Sequence, residues 1–268
     1  MSTILENRSF TPSAREVPPA TPAVEAPLGF MGKATPQLRA TVEKYQLLLP
    51  TAEFEKLIAT IRSAFGKYQA RLLQFQPGVE RGRALHEMMD REMGAVAMLP
   101  VTCGKGCSGC CHYEVEITSD DAAVLNAVVQ AGREIDHEKL SVQAARERRS
   151  PEWRRFGSKD NRCVFLDASG ACGIYEDRPA VCRKHMVTTP AADCTTEGAA
   201  VAPVQVLLAD ILLSAELSIA GTEFGSLPKL LQKSLHASAA RDEKGERAHA
   251  KPAAQANTNL RPAGRAAG

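Results

Sequence analysis

All eight cysteines of this chain lie between Cys103 and Cys194, with none in the first 102 residues or the last 74. Eight residues scattered at random over the chain would all land in that window roughly twice in ten thousand trials, so the cluster has a cause. A disulfide frame, a metal site, and redox or nucleophilic chemistry would each gather thiols in this way. Residues Met1 to Phe10 show no basic start followed by an apolar core, so no secretory signal is read there and a cytoplasmic setting is expected. A reducing compartment disfavours structural disulfides and leaves metal binding or catalysis.

Composition removes other classes. The formal net charge is +2 and aromatic residues are 5%, with Trp153 the single tryptophan, which argues against nucleic acid as a partner. The most apolar stretch, Val201 to Ala220, carries Asp210 and Glu216, which makes it a poor membrane span.

The cysteines divide into two groups by spacing. The first is Cys103, Cys107, Cys110 and Cys111, or C-x3-C-x2-C-C, set among Gly104, Gly106 and Gly109. Thiolates three or four residues apart in such a loop converge on one ion, because glycine turns the backbone at little steric cost. The adjacent Cys110 and Cys111 point to opposite sides of extended backbone, so they serve two centres or one of them bridges. The second group is Cys163, Cys172, Cys182 and Cys194. Eight sulfurs make two tetrahedral sets, or one four-iron cluster with four thiolates to spare. Spacing leaves zinc and iron both open.

The run Cys163-Val-Phe-Leu-x5-Cys172-Gly-Ile-Tyr-Glu-x-Arg178-Pro179-x2-Cys182-Arg183, taken with the C-x3-C-x2-CC run and Glu116-Ile-Thr-Ser-Asp, resembles the YkgJ family. That family is also called the CxxCxxCC zinc- or iron-chelating domain, and the resemblance covers about Pro100 to Cys194. It implies chelation of zinc or iron, with a 4Fe-4S cluster as one form, through all eight cysteines. Some relatives are flagellin lysine methylases with an iron–sulfur centre. The resemblance therefore leaves an iron–sulfur-dependent enzyme, oxidoreductase or methylase-like, and a zinc-stabilised module for a protein partner as alternatives to plain metal binding.

The surroundings organise the chain into five parts. Residues 1–36, with six prolines, and residues 237–268, rich in alanine with Pro252 and Pro262, are expected to be disordered tails. Residues 37–99 form an N-terminal helical segment, 100–198 the cysteine module, and 199–236 C-terminal helices on the same core. Thr35-Pro36 opens a first helix with Leu38, Val42, Tyr45 and Leu49 inward, and Pro50 stops it. Phe54, Leu57, Ile58, Ile61, Phe65, Tyr68 and Leu72 mark one face of a second helix. Leu85, Met88, Met89 and Val96 mark a third, the methionines being core filler before they are soft-metal ligands. Tyr113, Val115 and Ile117 alternate as a short strand, and Ser119 caps a helix charged by Asp120 and Asp121. Asp167 to Gly170 turns a hairpin between Cys163 and Cys172. Pro203 begins an apolar helix, and Leu227, Leu230, Leu231 and Leu235 make the last one.

The fold class expected is mainly α with a small β-hairpin, a helical bundle flanking a metal-stabilised cysteine centre. His112 and His185 rank behind the cysteines as ligands, because eight sulfurs already fill two sites. Arg178, Arg183 and Lys184 are read as offsetting thiolate charge before they are read as anion anchors. Residues 146–162, with seven basic and three acidic side chains, read as a solvated face.

Overall fold

The computed structural model describes residues 26–154 and 158–249. Thr35 caps the first helix as its position before proline predicts: its hydroxyl accepts from the Leu38 amide, and α1 runs Pro36–Leu48. Leu38 and Val42 are buried on that helix, while Tyr45 faces out. Helix α2 spans Thr51–Leu72 and buries Ile58, Ile61, Phe65 and Leu72 along the expected face. Helix α3, Val79–Met93, buries Leu85, Met88 and Met89 in one apolar cluster with Leu72, Ala209 and Leu212. Both methionines are therefore core, as their spacing suggested.

Helix α7, Leu207–Ser218, is the centre of the frame, and Ile211 to Leu217 are buried without a break. Its Ile211 and Ala215 join the cluster of α1 and α2, while its Leu212 and Leu213 join that of α3. A helix apolar on all sides has to be wrapped by others, and α1, α2 and α3 do this. The expected start at Pro203 is too early. Residues 203–206 stay extended, with Pro203 bridged to Val187 and the Val204 amide donating to the Met186 carbonyl at 2.8 Å.

A second body holds α4 (Ser119–Gln130), α5 (His137–Ala144) and α8 (Leu227–His249) around Ile117, Leu125, Leu140, Phe165 and Leu231. The cap of α4 is Thr118 rather than Ser119, in a capping box with Asp121. Strand β1, Glu116–Thr118, takes only the C-terminal end of the stretch from Tyr113 to Ile117 where alternation placed it, and its partner is β2, Phe224–Ser226, antiparallel with Ile117 opposite Gly225. The hairpin expected between Cys163 and Cys172 is reduced to one bridge, Leu166 to Cys172. Asp167 Oδ1 accepts from the Ser169 and Ala171 amides and closes the turn, and the Asp167 amide to Ala171 and the Gly173 amide to Phe165 flank the bridge.

The expected tails also change at their inner edges. Residues 1–25 and 250–268 lie outside the described residues. Residues 26–33 form a 3-10 turn, however, and Met31 and Ala34 pack into the α1–α2 cluster. At the other end α8 continues past His236, where the Asn126 amide donates to Ser238 Oγ at 2.6 Å. Alanine, glutamate and arginine are good helix formers, and the first proline after Pro228 is Pro252. A trimmed chain of residues 37–236 would thus lose packing at both ends.

Candidate metal centre

The cysteines are carried on turns and one short helix. Gly106, at φ +95°, lets the chain reverse between Cys103 and Cys107, and the Cys107 amide donates to the Gly104 carbonyl. Cys110 and Cys111 sit in a 3-10 turn, Gly109–His112. Cys163 follows a second such turn, and its amide donates to the Cys111 carbonyl at 2.9 Å, which ties the second group of cysteines to the first. Cys172 lies at the isolated bridge. Cys182 is on α6, Ala180–Lys184, and Cys194 is in the 3-10 turn Ala191–Thr195. The Val187 amide donates to Cys103 Sγ at 3.3 Å, and the Tyr113 hydroxyl to the Cys194 carbonyl at 2.8 Å. All eight thiols are free.

Electrostatics sorts these thiols into neighbourhoods. Burial pushes Cys103 and Cys194 up, and each is raised further by Cys107 and Cys110. Burial likewise raises Cys163, to about 11, and holds Cys182 well above the usual thiol range. Cys163 feels Cys172 and Cys110, while Cys182 feels Cys163, Cys110 and Cys172. The Cys111 thiol hydrogen-bonds the Cys110 sulfur, which is pulled down to about 7 as Cys111 itself is pushed up. Cys103 and Cys194 thus share Cys107 and Cys110 as charged neighbours, while Cys111 and Cys182 share Cys163 and Cys110. Cys110 acts on both groups. Thiols so crowded ionise together only when a cation offsets their charge.

Residue 109 explains how Cys194 comes so close. A Cβ at Gly109 would stand 2.8 Å from Cys194 Cβ and 3.3 Å from Thr195 Cγ2. Only glycine lets these two turns touch.

One family comparison now bears on the site. Residues 102–200 match the CxxCxxCC family model, "Putative zinc- or iron-chelating domain". The matched stretch holds all eight cysteines and less than half of the chain. It supports a chelating function for zinc or iron. No curated protein and no solved structure matches the chain. Among the described residues no helix is long and apolar enough to cross a membrane.

The residues expected to balance thiolate charge divide. Arg178 is near enough to the sulfurs to lower Cys110 and Cys103, while its guanidinium lies 3.6 Å from the Tyr175 ring centroid and its Nε donates to the Tyr175 carbonyl. Arg183 is instead buried against Asp90 and the Arg178 and Glu176 carbonyls. Lys184 pairs with Asp210 at 2.8 Å on α7. Both are fasteners between α6 and the helical frame. His112 Nδ1 meets the Ser108 carbonyl at 3.2 Å, and His185 is exposed.

In the basic stretch 146–162, Arg148, Arg149 and Lys159 are exposed, as a solvated face requires, but three of the described arginines also have fixed partners. Arg146 stacks on Trp153 at 4.7 Å and donates to Asn161 Oδ1, Arg148 pairs with Glu116, and Arg162 reaches the Asp167 carbonyl.

Sequence reasoning missed a buried polar cluster beneath the centre. Arg81 pairs with Asp120, His86 Nε2 lies 2.6 Å from Asp121 Oδ1, and Glu216 is fully buried beside both aspartates. A signal was present: Arg81 falls in register with Leu85 and Met88 on an apolar face, and Glu216 interrupts the apolar run of α7.

Proposed function

We propose that this chain is a metal-chelating protein whose eight cysteines hold zinc or iron as two adjoining four-sulfur sets. Cys103, Cys107, Cys110 and Cys194 make one set, and Cys111, Cys163, Cys172 and Cys182 the other. The observation that carries the reading is that turns far apart in sequence carry eight free thiols and are tied to one another, by the Cys163 amide on the Cys111 carbonyl, the Val187 amide on Cys103 Sγ and the Tyr113 hydroxyl on the Cys194 carbonyl. The family-model match over the same residues supports it.

The donor chemistry fits. Four thiolates suit tetrahedral zinc, and they equally suit iron in a sulfur cluster. Among the described residues no three His, Cys, Asp or Glu side chains already stand at coordinating geometry, so the ion itself would draw each set closed. Arg178 would offset part of the negative charge that four thiolates place on either metal. Free thiols in this number also suit a reducing, cytoplasmic compartment.

Anaerobic purification of the full chain with metal analysis and a visible spectrum tests the reading. Near-stoichiometric zinc with a colourless protein, or iron with a broad absorption band, is the expected result. Cys194→Ser and Cys172→Ser should each remove about half of the metal, and the double variant nearly all of it. Trace metal in the wild type, or full metal in the double variant, would sink it.

A further inference from the structure

We infer that Asp121 is the positioning residue for Cys182, acting as a helix cap supplied from a distant part of the chain. Helix α6 is only five residues long, and its own N-cap, Pro179, has no side chain to satisfy the first amide. That amide, on Ala180, donates instead to Asp121 Oδ1 at 3.0 Å, across 59 residues of sequence. The contact is buried on both sides, with Asp121 at 1% and Ala180 at 0% exposure. A charged acceptor aimed at the free amides of a helix start is a strong anchor, more so away from water.

The same carboxylate accepts three further hydrogen bonds. Oδ1 also receives His86 Nε2 at 2.6 Å, and Oδ2 receives the Thr118 amide and hydroxyl, each at 3.1 Å. Burial opposes charge on Asp121, but the His86 bond and the Ala180 and Thr118 amides outweigh it and hold the group below the usual carboxylate range. Four donors on three elements thus meet at one side chain: His86 on α3, Thr118 at the head of α4, and Ala180 on α6.

Cys182 sits two residues into the helix so held. Ala180 packs in the α3–α7 cluster and Val181 against the α4–α8 cluster, so α6 bridges the two bodies. Arg183 and Lys184 fasten its far end to Asp90 and Asp210. Cys163 and Cys172 reach the frame differently, by packing against the α4–α8 cluster. Cys103, Cys107, Cys110 and Cys194 ride on turns whose hydrogen bonds mostly close the turn itself, as the Cys107 amide to Gly104, the Tyr113 amide to Cys110 and the Asp193 amide to Pro190 do. Asp121 therefore fixes the ligand of the second sulfur set that is carried on a helix, an inference that rests on the two-set reading above.

Cobalt(II), titrated anaerobically into the metal-free full chain, is the probe, because its thiolate absorption counts the sulfurs bound. Wild type should take up two ions, and Cys182→Ser identifies which set it serves. Asp121→Ala should weaken that set about ten- to a hundredfold and leave the other unchanged. Asp121→Asn keeps one acceptor oxygen and should fall between the two, which keeps the test decisive if the alanine variant does not fold. Asp120→Asn, in the same buried cluster but without a bond to α6, should bind both ions as wild type does. Wild-type affinity at both sets in the Asp121 variants, or an equal loss in Asp120→Asn, would overturn the inference. Uptake of a single ion by the wild type would instead break the two-set reading itself.

Discussion

Along α2, apolar residues at helical spacing bury Ile58, Ile61, Phe65 and Leu72 against the helical frame, whereas the cysteine-bearing segments 101–115, 162–175 and 185–195 hold turns, two isolated bridges and a few buried apolar side chains. The helical frame is closed chiefly by apolar burial. The cysteine segments are closed by hydrogen bonds between turns and by arginines such as Arg146, Arg148 and Arg162 reaching across them. Exposed ion pairs contribute little to stability, with a median of about 0–1 kcal/mol, so these segments lack a large energetic reserve of their own. The contrast teaches where a bound ion would matter. It would add little to the frame and most of the closure to the turns.

Metal removal should expose that difference most strongly. Structural zinc contributes an apparent free energy of about 10–16 kcal/mol in small peptides, far more than any contact visible among these turns. Chelation should therefore abolish hydrogen-exchange protection over residues 101–112, 162–175 and 185–195. Helices α2, α3 and α7 should keep theirs, and with it most of the far-ultraviolet circular dichroism. Equal protection of the turns before and after complete metal removal would show that they need no ion.

A smaller change sharpens the contrast within the module. Gly109→Ala places a methyl group 2.8 Å from Cys194 Cβ, and neither turn has a flexible side-chain end that can yield there. Overpacking of this kind costs about 1–3 kcal/mol, and here it should fall on the set containing Cys194. Gly104→Ala is the matched comparison in the same loop, since a Cβ there meets nothing within 4 Å. Competition with a chelator of known affinity should show one weakened set in Gly109→Ala and none in Gly104→Ala. Two sets weakened alike would mean that the sulfurs form a single centre.

How much of this was legible in the sequence follows from the range of the forces involved. The faces of α2 and α3 could be read because a helix repeats its burial pattern within the chain itself, and Thr35 announced its own cap. The cysteine run was legible as a motif, since cysteine spacing is local and the family model matches residues 102–200. Which of its turns meet was not, because that depends on contacts far apart in sequence: Gly109 against Cys194, and the Cys163 amide on the Cys111 carbonyl. Strand β1 was visible but its partner β2, over a hundred residues on, was not, since three residues carry too little alternation to announce a strand. Asp121 was read as helix-start charge. That reading was right about its local bond to Thr118 and blind to its bonds to His86 and Ala180.

The smallest expected effect concerns the frame itself. Glu216 lies at 0% exposure on α7, and neither carboxyl oxygen makes a hydrogen bond of normal geometry. Burial comes first in pushing it well above the usual carboxylate range, followed by the neighbouring charges of Asp121 and Asp120, against smaller pulls from Thr118 and Arg81. The groups facing it already have other partners: Arg81 on α3 pairs with Asp120, and His86 Nε2 on α3 hydrogen-bonds Asp121. Glu216 is therefore neutral in the folded chain at pH values where the unfolded chain has already lost the proton. The folded state holds the extra proton, so stability falls as pH rises from the ordinary carboxylate range toward the raised folded value. Glu216→Gln keeps the shape and removes the titration. Below the ordinary range the variant and wild type should melt alike. Above it the variant should be the more stable, by on the order of 1 kcal/mol near neutrality, because only the wild type must retain a proton in order to fold. Thermal unfolding of both proteins across that window decides the matter. A gap between them that does not widen with pH would mean that Glu216 is charged in the core and that the frame, too, depends on an ion pair.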